Sequence, residues 1–356
     1  MDDVIIIFGS DSNERRVSVA SAQNIVRLLP QARLWFWSPS GSIHFTETQR
    51  LLDFVNPFEN DFDPGSKAIY PTIEAAINSA SSANTFFLAL HGKGGEDGML
   101  QALLEAKFLP FSGSSSQASH RAFDKVIAKK LVQSQNIRTA ESTTIISGND
   151  TENIRQILAN WQQQYKHIVI KPVADGSSVG LHFVNDTNSL DTVIAQINAT
   201  PNITYLVEAF ISGKELTVVV IDTDKGPKAL PGSEIVVEQG RAFDFAGKYL
   251  GKGTKEITPA NVTSSVHALA GEIAVAAHKA IGCYGYSRTD LIINDTGAIF
   301  LEINTLPGLT KASFVPQQLT VADITMSDFL MQQIQLARRR YEFKQNLPFT
   351  KTADVF

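Results

Sequence analysis

A chain of 356 residues has room for two to three domains at roughly 100–200 residues each. With 43% hydrophobic and 19% charged residues, its composition excludes a disordered or low-complexity chain. A net charge of −5 and a single cysteine, Cys283, exclude a chain-wide basic nucleic-acid footprint, a disulfide scaffold and a cysteine-rich zinc site.

The N-terminus, MDDVIIIFG, starts acidic and has too short an apolar run for a signal peptide. Apolar runs elsewhere fall far short of the roughly 18 residues of a membrane span. A soluble, cytoplasmic protein is expected. Val4–Phe8 is a continuous apolar run, as in a strand buried on both faces. Gly9-Ser10-Asp11-Ser12 breaks it, and Val17, Ala20, Ile25 and Leu28 then recur near helical spacing before Pro30. Thr85–Leu90 predicts a second buried strand, followed by His91-Gly-Lys-Gly-Gly-Glu-Asp-Gly98 and a helix through Met99, Leu100, Leu103 and Leu104. Strands alternating with helices predict an α/β domain with a largely parallel sheet. Both polar loops then lie past the carboxyl ends of strands, where such sheets bind ligands.

A single helix from about Ser119 to Gln133 opens a new unit. Ile168–Ile170 predicts a strand leading into Lys171-Pro172 and the Gly/Ser-rich Asp175-Gly-Ser-Ser-Val-Gly180. Thr204–Val207 and Leu216–Ile221 predict further strands, and Gln239–Lys255, rich in Gly and Lys, reads as a long surface loop. A helix follows through Val266, Leu269, Ile273 and Ala277, then a hairpin of Thr289–Ile293 and Ala298–Asn304. The stretch from about Ala322 to Arg340 reads as helical.

The strongest chemical signal is in that hairpin. Glu302 and Asn304 are two apart and share a strand face. A three-residue loop, Asp295-Thr-Gly297, would set Asp290 opposite Glu302. Two carboxylates and an amide oxygen are hard ligands suited to Mg²⁺ with phosphate oxygens completing the shell; an exposed polar hairpin face fits the same residues about as well. Arg288 shares that face, as partner for an anion or as a structural ion pair. Lys171 before a Gly/Ser loop can meet phosphates, or end an ordinary turn. No P-loop is present, and His91–Gly98 fails the dinucleotide fingerprint because Asp97 stands where the last glycine is needed. Taken singly, Glu14 at a helix start, His91, Lys125, Glu208, Glu215 and Lys248 carry no decisive signal.

Their order does. His91-Gly-x-x-Gly-Glu-Asp-Gly98, Lys171-Pro-x-x-x-Gly-Ser-Ser-x-Gly180, Arg288-x-Asp290, and Leu301-Glu-Ile-Asn-Thr-x-Pro-Gly308-x-Thr310 running on to Ser313-Phe-Val-Pro316 together resemble the D-alanine–D-alanine ligases, ATP-grasp enzymes of peptidoglycan synthesis. Glu14-Arg-Arg-Val-Ser18, Phe123-Asp124-Lys125, Glu208 and Gly213-Lys-Glu215 support the match, which runs from Val4 to about Leu319. The resemblance implies a three-domain α/β ATP-grasp fold. An N-terminal parallel-sheet domain would span 1–121, a central grasp domain 122–210, and a C-terminal grasp domain 211–356 with a lid over ATP at 239–255.

It also implies a reaction. ATP phosphorylates the carboxylate of one D-alanine, and the amine of a second attacks the acyl phosphate. Lys125, Lys171 and Lys248 match phosphate contacts, and Glu208 and Glu215 the adenosine-binding acids. Asp290, Glu302 and Asn304 match the ligands of two Mg²⁺ ions, for which Mn²⁺ could substitute. Arg288 and the Gly308 N–H match oxyanion stabilisers. Glu14, Ser177 and Tyr249 match the set that orients the first D-alanine, while His91, Leu309 and Ser313 match substrate-binding positions. The partners implied are ATP, D-alanine and a second copy in a homodimer, with neither nucleic acid nor membrane. The chain departs from the family at Gly9-Ser10, where a glycine pair is usual, at Phe123 and at Thr289; Phe36–Ile69 matches poorly. Ligation of D-alanine to D-lactate or D-serine, or ATP binding without catalysis, are the alternatives. Tyr249 and the intact metal and phosphate residues argue against them.

Overall fold

The computed structural model describes residues 3–148, 150–174, 180–186, 189–237 and 254–346. Strands among them form three sheets. The first holds β1 (Val4–Gly9), β2 (Arg33–Trp37), β3 (Ile43–Thr46) and β4 (Thr85–Leu88) in the order β3-β2-β1-β4. β1 runs parallel to β2 and β4, and only the edge strand β3 is antiparallel. β1 is buried along its length, which accounts for its unbroken apolar run. The predicted strand at 85–90 ends at Leu88, though Ala89 and Leu90 stay buried. Helices α1 (Arg15–Leu28), α2 (Thr48–Asp53), α3 (Ile73–Ser79), α4 (Met99–Ala106) and α5 (Ser116–Phe123) complete this unit.

The single helix expected over 119–133 is two. α5 ends at Phe123, and α6 (Lys125–Gln133) begins beyond Asp124. Asp124 is extended, and its carboxylate accepts from the Val126 and Ile127 N–H groups. A short acidic side chain competes with helical hydrogen bonding in an interior and caps it at a start, so the chain breaks here. Lys125 thereby becomes the first residue of a helix.

The second sheet, antiparallel, orders β5 (Ser142–Ile146), β6 (Ile168–Pro172), β7 (His182–Val184) and β8 (Thr204–Ala209) as β5-β8-β6-β7. It packs Ile168, Ile170 and Val207 under α7 (Thr151–Tyr165) and α8 (Leu190–Asn198).

The third sheet contains β9 (Lys214–Thr223), β10 (Gly226–Ala229), β11 (Ser233–Val237), β12 (Thr254–Ile257), β13 (Tyr286–Asn294) and β14 (Gly297–Asn304), with β9 central. The loop expected over 239–255 lies outside the described residues except for Thr254 and Lys255, which already pair in β12. One face of β9, through Leu216, Val218 and Val220, packs on α9 (Ser264–Ile281). α9 faces it with Ala270, Ala274, Ala277 and Ile281, not with the predicted Leu269, which is 38% exposed. The other face, through Val219 and Ile221, joins the same apolar cluster as β1. α10 (Phe314–Val321) and α11 (Met326–Asn346) belong to that cluster through Val315, Leu319, Phe329 and Ile334. The predicted helix start at Ala322 is corrected to Met326. A turn with Asp323 at φ 55° intervenes, and Thr325 caps α11 through Asp328 N. No helix among the described residues is long and apolar enough to cross a membrane.

Thr289, one of the departures, faces the α9 side, paired with Val218 and Ile303 and fully buried. Its hydroxyl has no hydrogen-bond partner. Burying such a group unpaired costs about 1–3 kcal/mol. Thr289→Val is therefore expected to raise the unfolding free energy by about 1 kcal/mol, read as a higher urea midpoint at unchanged slope. A lower midpoint would show that the hydroxyl is satisfied.

Candidate active site

The β13–β14 hairpin closes with a two-residue turn, because Asn294 pairs with Gly297. Continued unbroken, that register would set Asp290 against Leu301 and turn Glu302 to the opposite face. Instead the register shifts between Leu291 and Asp290: Leu291 pairs with Phe300, and Asp290 with Glu302. One extra residue, Leu301, forms a bulge. The predicted pairing is thus reached through a shorter turn plus a bulge, not through a three-residue loop. Arg288 pairs with Asn304 in the same register, so Arg288, Asp290, Glu302 and Asn304 share one face.

Asp290 accepts from Thr217 Oγ1 at 2.6 Å and from both arms of the Arg288 guanidinium, at 3.0 and 2.8 Å. Lys125 Nζ stands 3.9 Å from Glu302 Oε2. Two carboxylates directly opposed across strands repel unless a cation intervenes. The Asn304 amide nitrogen is buried without a partner. The two carboxylates and the amide oxygen are hard donors that fit a divalent cation such as Mg²⁺. Among the described residues no three His, Cys, Asp or Glu side chains gather into a metal cluster. Two carboxylates and an amide leave coordination positions for phosphate oxygens.

A buried ion triad lies alongside. Glu208, near the end of β8, bonds Lys171 of β6 at 2.7 Å through one oxygen and Lys129 of α6 through the other. Lys129 also donates to Ala140 O at 2.8 Å. Burial would depress the Lys171 ammonium, but the carboxylates of Glu208, Glu302 and Glu215 outweigh it and raise its pKa. Burial likewise pushes Glu208 up, and the two lysines more than reverse it. Lys129 is lowered, chiefly by burial.

The other wall is the loop from 306 to 309, gripped by the N-terminal unit. His91 Nδ1 lies 2.8 Å from Leu306 O, and its Nε2 lies 2.9 Å from Ser21 Oγ. A carbonyl only accepts, so Nδ1 carries the proton and Ser21 donates to Nε2. Burial lowers the His91 pKa despite the nearby Glu14 charge, which favours this neutral ring. Glu96 accepts from Gly92 N at 2.9 Å and Leu306 N at 3.0 Å. Gly92 sits at φ +67°, and a Cβ there would lie 2.7 Å from Ser12 Oγ and 3.0 Å from Glu14 Oε2. Only glycine lets the Glu14 loop approach the His91 loop so closely. At Gly308 a Cβ would meet Ser313 Oγ at 2.7 Å, so this backbone N–H and that hydroxyl sit side by side. Ser313 occupies the N-cap of α10, bonding only sideways to Thr310 Oγ1 at 2.8 Å. A helix N-terminus with a spare hydroxyl favours a carboxylate.

Burial, and then the Glu14 charge, push Glu96 from 4.5 up to about 7. A carboxyl raised in the folded state contributes stability that is present below pH 4.5 and lost as pH rises through 7. The shift corresponds to at most about 3 kcal/mol. Glu96→Gln is expected to flatten the fall in unfolding free energy between pH 5 and 7.5, measured by urea titration without Mg²⁺ or ATP. Parallel pH profiles for both proteins would contradict the assignment.

The structure sets Lys125 beside Glu302, Lys171 beside Glu208, Arg288 beside Asp290 and opposite Asn304, Glu14 near His91, and Gly308 beside Ser313, with Glu215 on β9 felt by Lys171. Ser177, Lys248 and Tyr249 lie outside the described residues. Leu309 has its side chain in the core, and its backbone N–H and C=O are both bound to α1. Sequence reasoning missed Glu96, Lys129, Thr217, Ser21 and Asn24. Glu96 stood inside a motif already singled out, and Lys129 follows Lys125 by one helical turn.

Residues 3–114 match the family model described as D-ala D-ala ligase N-terminus, and residues 131–335 match D-ala D-ala ligase C-terminus. The D-alanine–D-alanine ligase of Leptospira interrogans is 34% identical over 350 residues, covering 96% of this chain and 99% of the relative. The D-alanine–D-alanine ligase structure from Coxiella burnetii superposes with a TM-score of 0.79 at 24% identity, over 96% of each chain. A D-Ala:D-Ser ligase from Enterococcus faecalis gives 0.76 at 28% identity, over 94% of this chain and 98% of that one. The fold is α/β ATP-grasp, and the chain belongs to the D-alanine–D-alanine ligase family of ligases.

Proposed function

We propose that this enzyme joins two D-alanines into D-alanyl-D-alanine for peptidoglycan precursors, with ATP as co-substrate. The observation that supports the reading is the shared hairpin face of Asp290, Glu302 and Asn304, with Lys125 beside Glu302, Lys171 raised by the Glu302 charge, and the loop after β14 held at Leu306 by His91. The first D-alanine's carboxylate oxygen takes the γ-phosphoryl group, releasing ADP. The second amine then attacks the acyl carbon and loses its proton, and the tetrahedral intermediate expels phosphate.

Lys125, Lys171 and Lys248 are assigned to the phosphates, and Glu208 and Glu215 to adenosine, Glu208 also steadying Lys171. Asp290, Glu302 and Asn304 would hold Mg²⁺, which when bound supplies positive charge against the phosphate oxygens. Arg288 and the Gly308 N–H face the charge that develops at the acyl carbon. Glu14, with Ser177 and Tyr249, orients the first D-alanine's ammonium. Ser313 binds the second carboxylate, with His91 and Leu309 supporting the loop between them. The region at 239–255 is assigned as a lid, since an acyl phosphate must be kept from water. A cytoplasmic homodimer is proposed, and mass measurement in solution tests the dimer.

The likeness to a D-Ala:D-Ser ligase keeps D-serine open as acceptor. Mixing ATP and Mg²⁺ with D-alanine is expected to release phosphate, and L-alanine to release none. Offered D-alanine, D-serine and D-lactate together at several pH values, the enzyme should yield mainly the D-alanine dipeptide. Failure to release phosphate from D-alanine would sink the ligase reading; D-serine or D-lactate as the sole productive acceptor would sink only the acceptor.

A further inference from the structure

The loop that carries Gly308 buries Leu306 and Leu309 in the core shared with the N-terminal sheet. Beyond His91 and Glu96, which hold Leu306, its backbone is gripped by α1, a helix from the opposite end of the chain. Asn24 Nδ2 donates to Leu309 O at 2.8 Å, and Leu309 N donates to Ser21 Oγ at 3.2 Å. Both polar groups of one backbone residue are thus taken by side chains three apart on α1, which is the spacing that places them on one helical face. The Ser21 hydroxyl donates a hydrogen bond to His91 Nε2, and His91 Nδ1–H donates to Leu306 O. Leu306 and Leu309 are therefore tied at both ends, with Pro307 and Gly308 spanning the gap.

We propose that Asn24 and Ser21 are positioning residues for the acceptor half of the reaction. Ser21 holds the Gly308–Leu309 peptide through its N–H and Asn24 holds the Leu309–Thr310 peptide through its C=O, so together they anchor the backbone on the C-terminal side of Gly308 and its path toward Ser313. The inference rests on the reading of Gly308 and Ser313 given above. Asn24 is half-buried and its amide donates to the Leu309 carbonyl, so its loss leaves no sealed cavity. Ser21 is fully buried and its Oγ joins α1 to the His91 loop as well, so Asn24 is the cleaner probe. Geometry errors of this kind act on rate out of proportion to their size, because the donor must meet the developing oxyanion within a few tenths of an ångström.

The test compares Asn24→Ala and Asn24→Asp, the second an isostere without the donor, with Gln23→Ala. Gln23 is the control because its amide donates to Leu51 O and Phe54 O, within the N-terminal unit only. Initial rates are fitted for ATP, for donor D-alanine and for acceptor D-alanine, and melting is recorded alongside. Both Asn24 variants are expected to raise the acceptor KM and lower kcat by about tenfold in kcat/KM, one hydrogen bond to a reacting loop. The donor and ATP KM values should stay within about twofold. Gln23→Ala should leave all three KM values unchanged. Equal losses for ATP, donor and acceptor, or no loss at all, would overturn the proposal. Ser313→Ala separates the two layers. If it leaves the acceptor KM unmoved, the underlying site reading fails and takes the positioning role with it. If it raises that KM while the Asn24 variants do not, the positioning role alone is wrong.

Discussion

Glu302→Gln is expected to cut phosphate release by about 10²–10³-fold while leaving the unliganded fold almost as stable as before. The activity loss follows from removing one of two hard anionic donors where phosphate charge must be met, a class of change that typically costs several kcal/mol of transition-state stabilisation. The stability argument has two opposing parts. Glu302 faces Asp290 across the strands, and that repulsion disappears with the charge. It also stands 3.9 Å from Lys125 and helps raise Lys171, and that attraction disappears too. Each part is worth about 1 kcal/mol or less at a partly exposed position, so the net change should stay within about 1 kcal/mol. Ligand-linked stability separates the cases. Saturating Mg²⁺ and ATP should raise the melting temperature of the parent protein through binding to the folded state alone, about 2.7 kcal/mol at a hundredfold excess over Kd. The variant should show much less of this rise. Turnover within tenfold of the parent, with the ligand-induced rise intact, would remove Glu302 from the site.

The same hairpin shows how sequence reading works and where it stops. The period-2 rule put Glu302 and Asn304 on one face, and that is what the backbone does. The opposed Asp290 was reached from a wrong turn, and the error cancelled because a bulge at Leu301 restored the register. Nothing in Phe300-Leu301-Glu302 marks a bulge, since its cause is the fit of β14 against its neighbours. α9 was read in part. Its helix was legible from the period of Val266, Leu269, Ile273 and Ala277, and Val266, Ile273 and Ala277 do pack on the core, but the fully buried stripe centres on Ala270, Ala274 and Ala277 and leaves Leu269 exposed. Alanine suits either environment, so side-chain size could not rank the faces, and the close approach of the β9 sheet decided it. The break at Asp124 was available from capping chemistry and was overridden by apolar spacing on both sides. Asn24 was beyond reach: its partner lies 285 residues away, and no local pattern encodes that contact. The family motifs supplied most of the proposed site because they order residues along the chain in a way that single-residue chemistry does not.

Glu208→Gln is expected to be the most destabilising single change in this cleft, by about 3–5 kcal/mol, because it leaves two buried ammoniums without their shared counter-charge. One oxygen of Glu208 meets Lys171 at 2.7 Å, the other meets Lys129, and all three side chains are largely buried. Lys129 keeps a bond to the Ala140 carbonyl and a weaker attraction to Glu141, while Lys171 keeps Glu302 and Glu215 nearby, so Lys129 bears most of the loss. That prediction carries its own control. Adding Lys129→Met to Glu208→Gln removes the stranded charge and should recover part of the stability, giving a coupling energy of about 1–3 kcal/mol in the double-mutant cycle. Lys129→Met alone should cost less than Glu208→Gln, since Lys171 still neutralises the carboxylate. The pH dependence follows from the sign of the shift. Glu208 has its folded pKa lowered below the ordinary 4.5 by the two lysines, against its burial. Its contribution is therefore present above pH 4.5 and lost as pH falls through the folded value. The parent protein should lose stability in that acid range more steeply than Glu208→Gln, which lacks the group. Urea unfolding at pH 7.5 and across pH 3–5 reads both effects. A Glu208→Gln protein within about 1 kcal/mol of the parent at pH 7.5 would mean that the lysines find other anions or discharge their protons, and the triad would then be a consequence of the fold and not one of its supports.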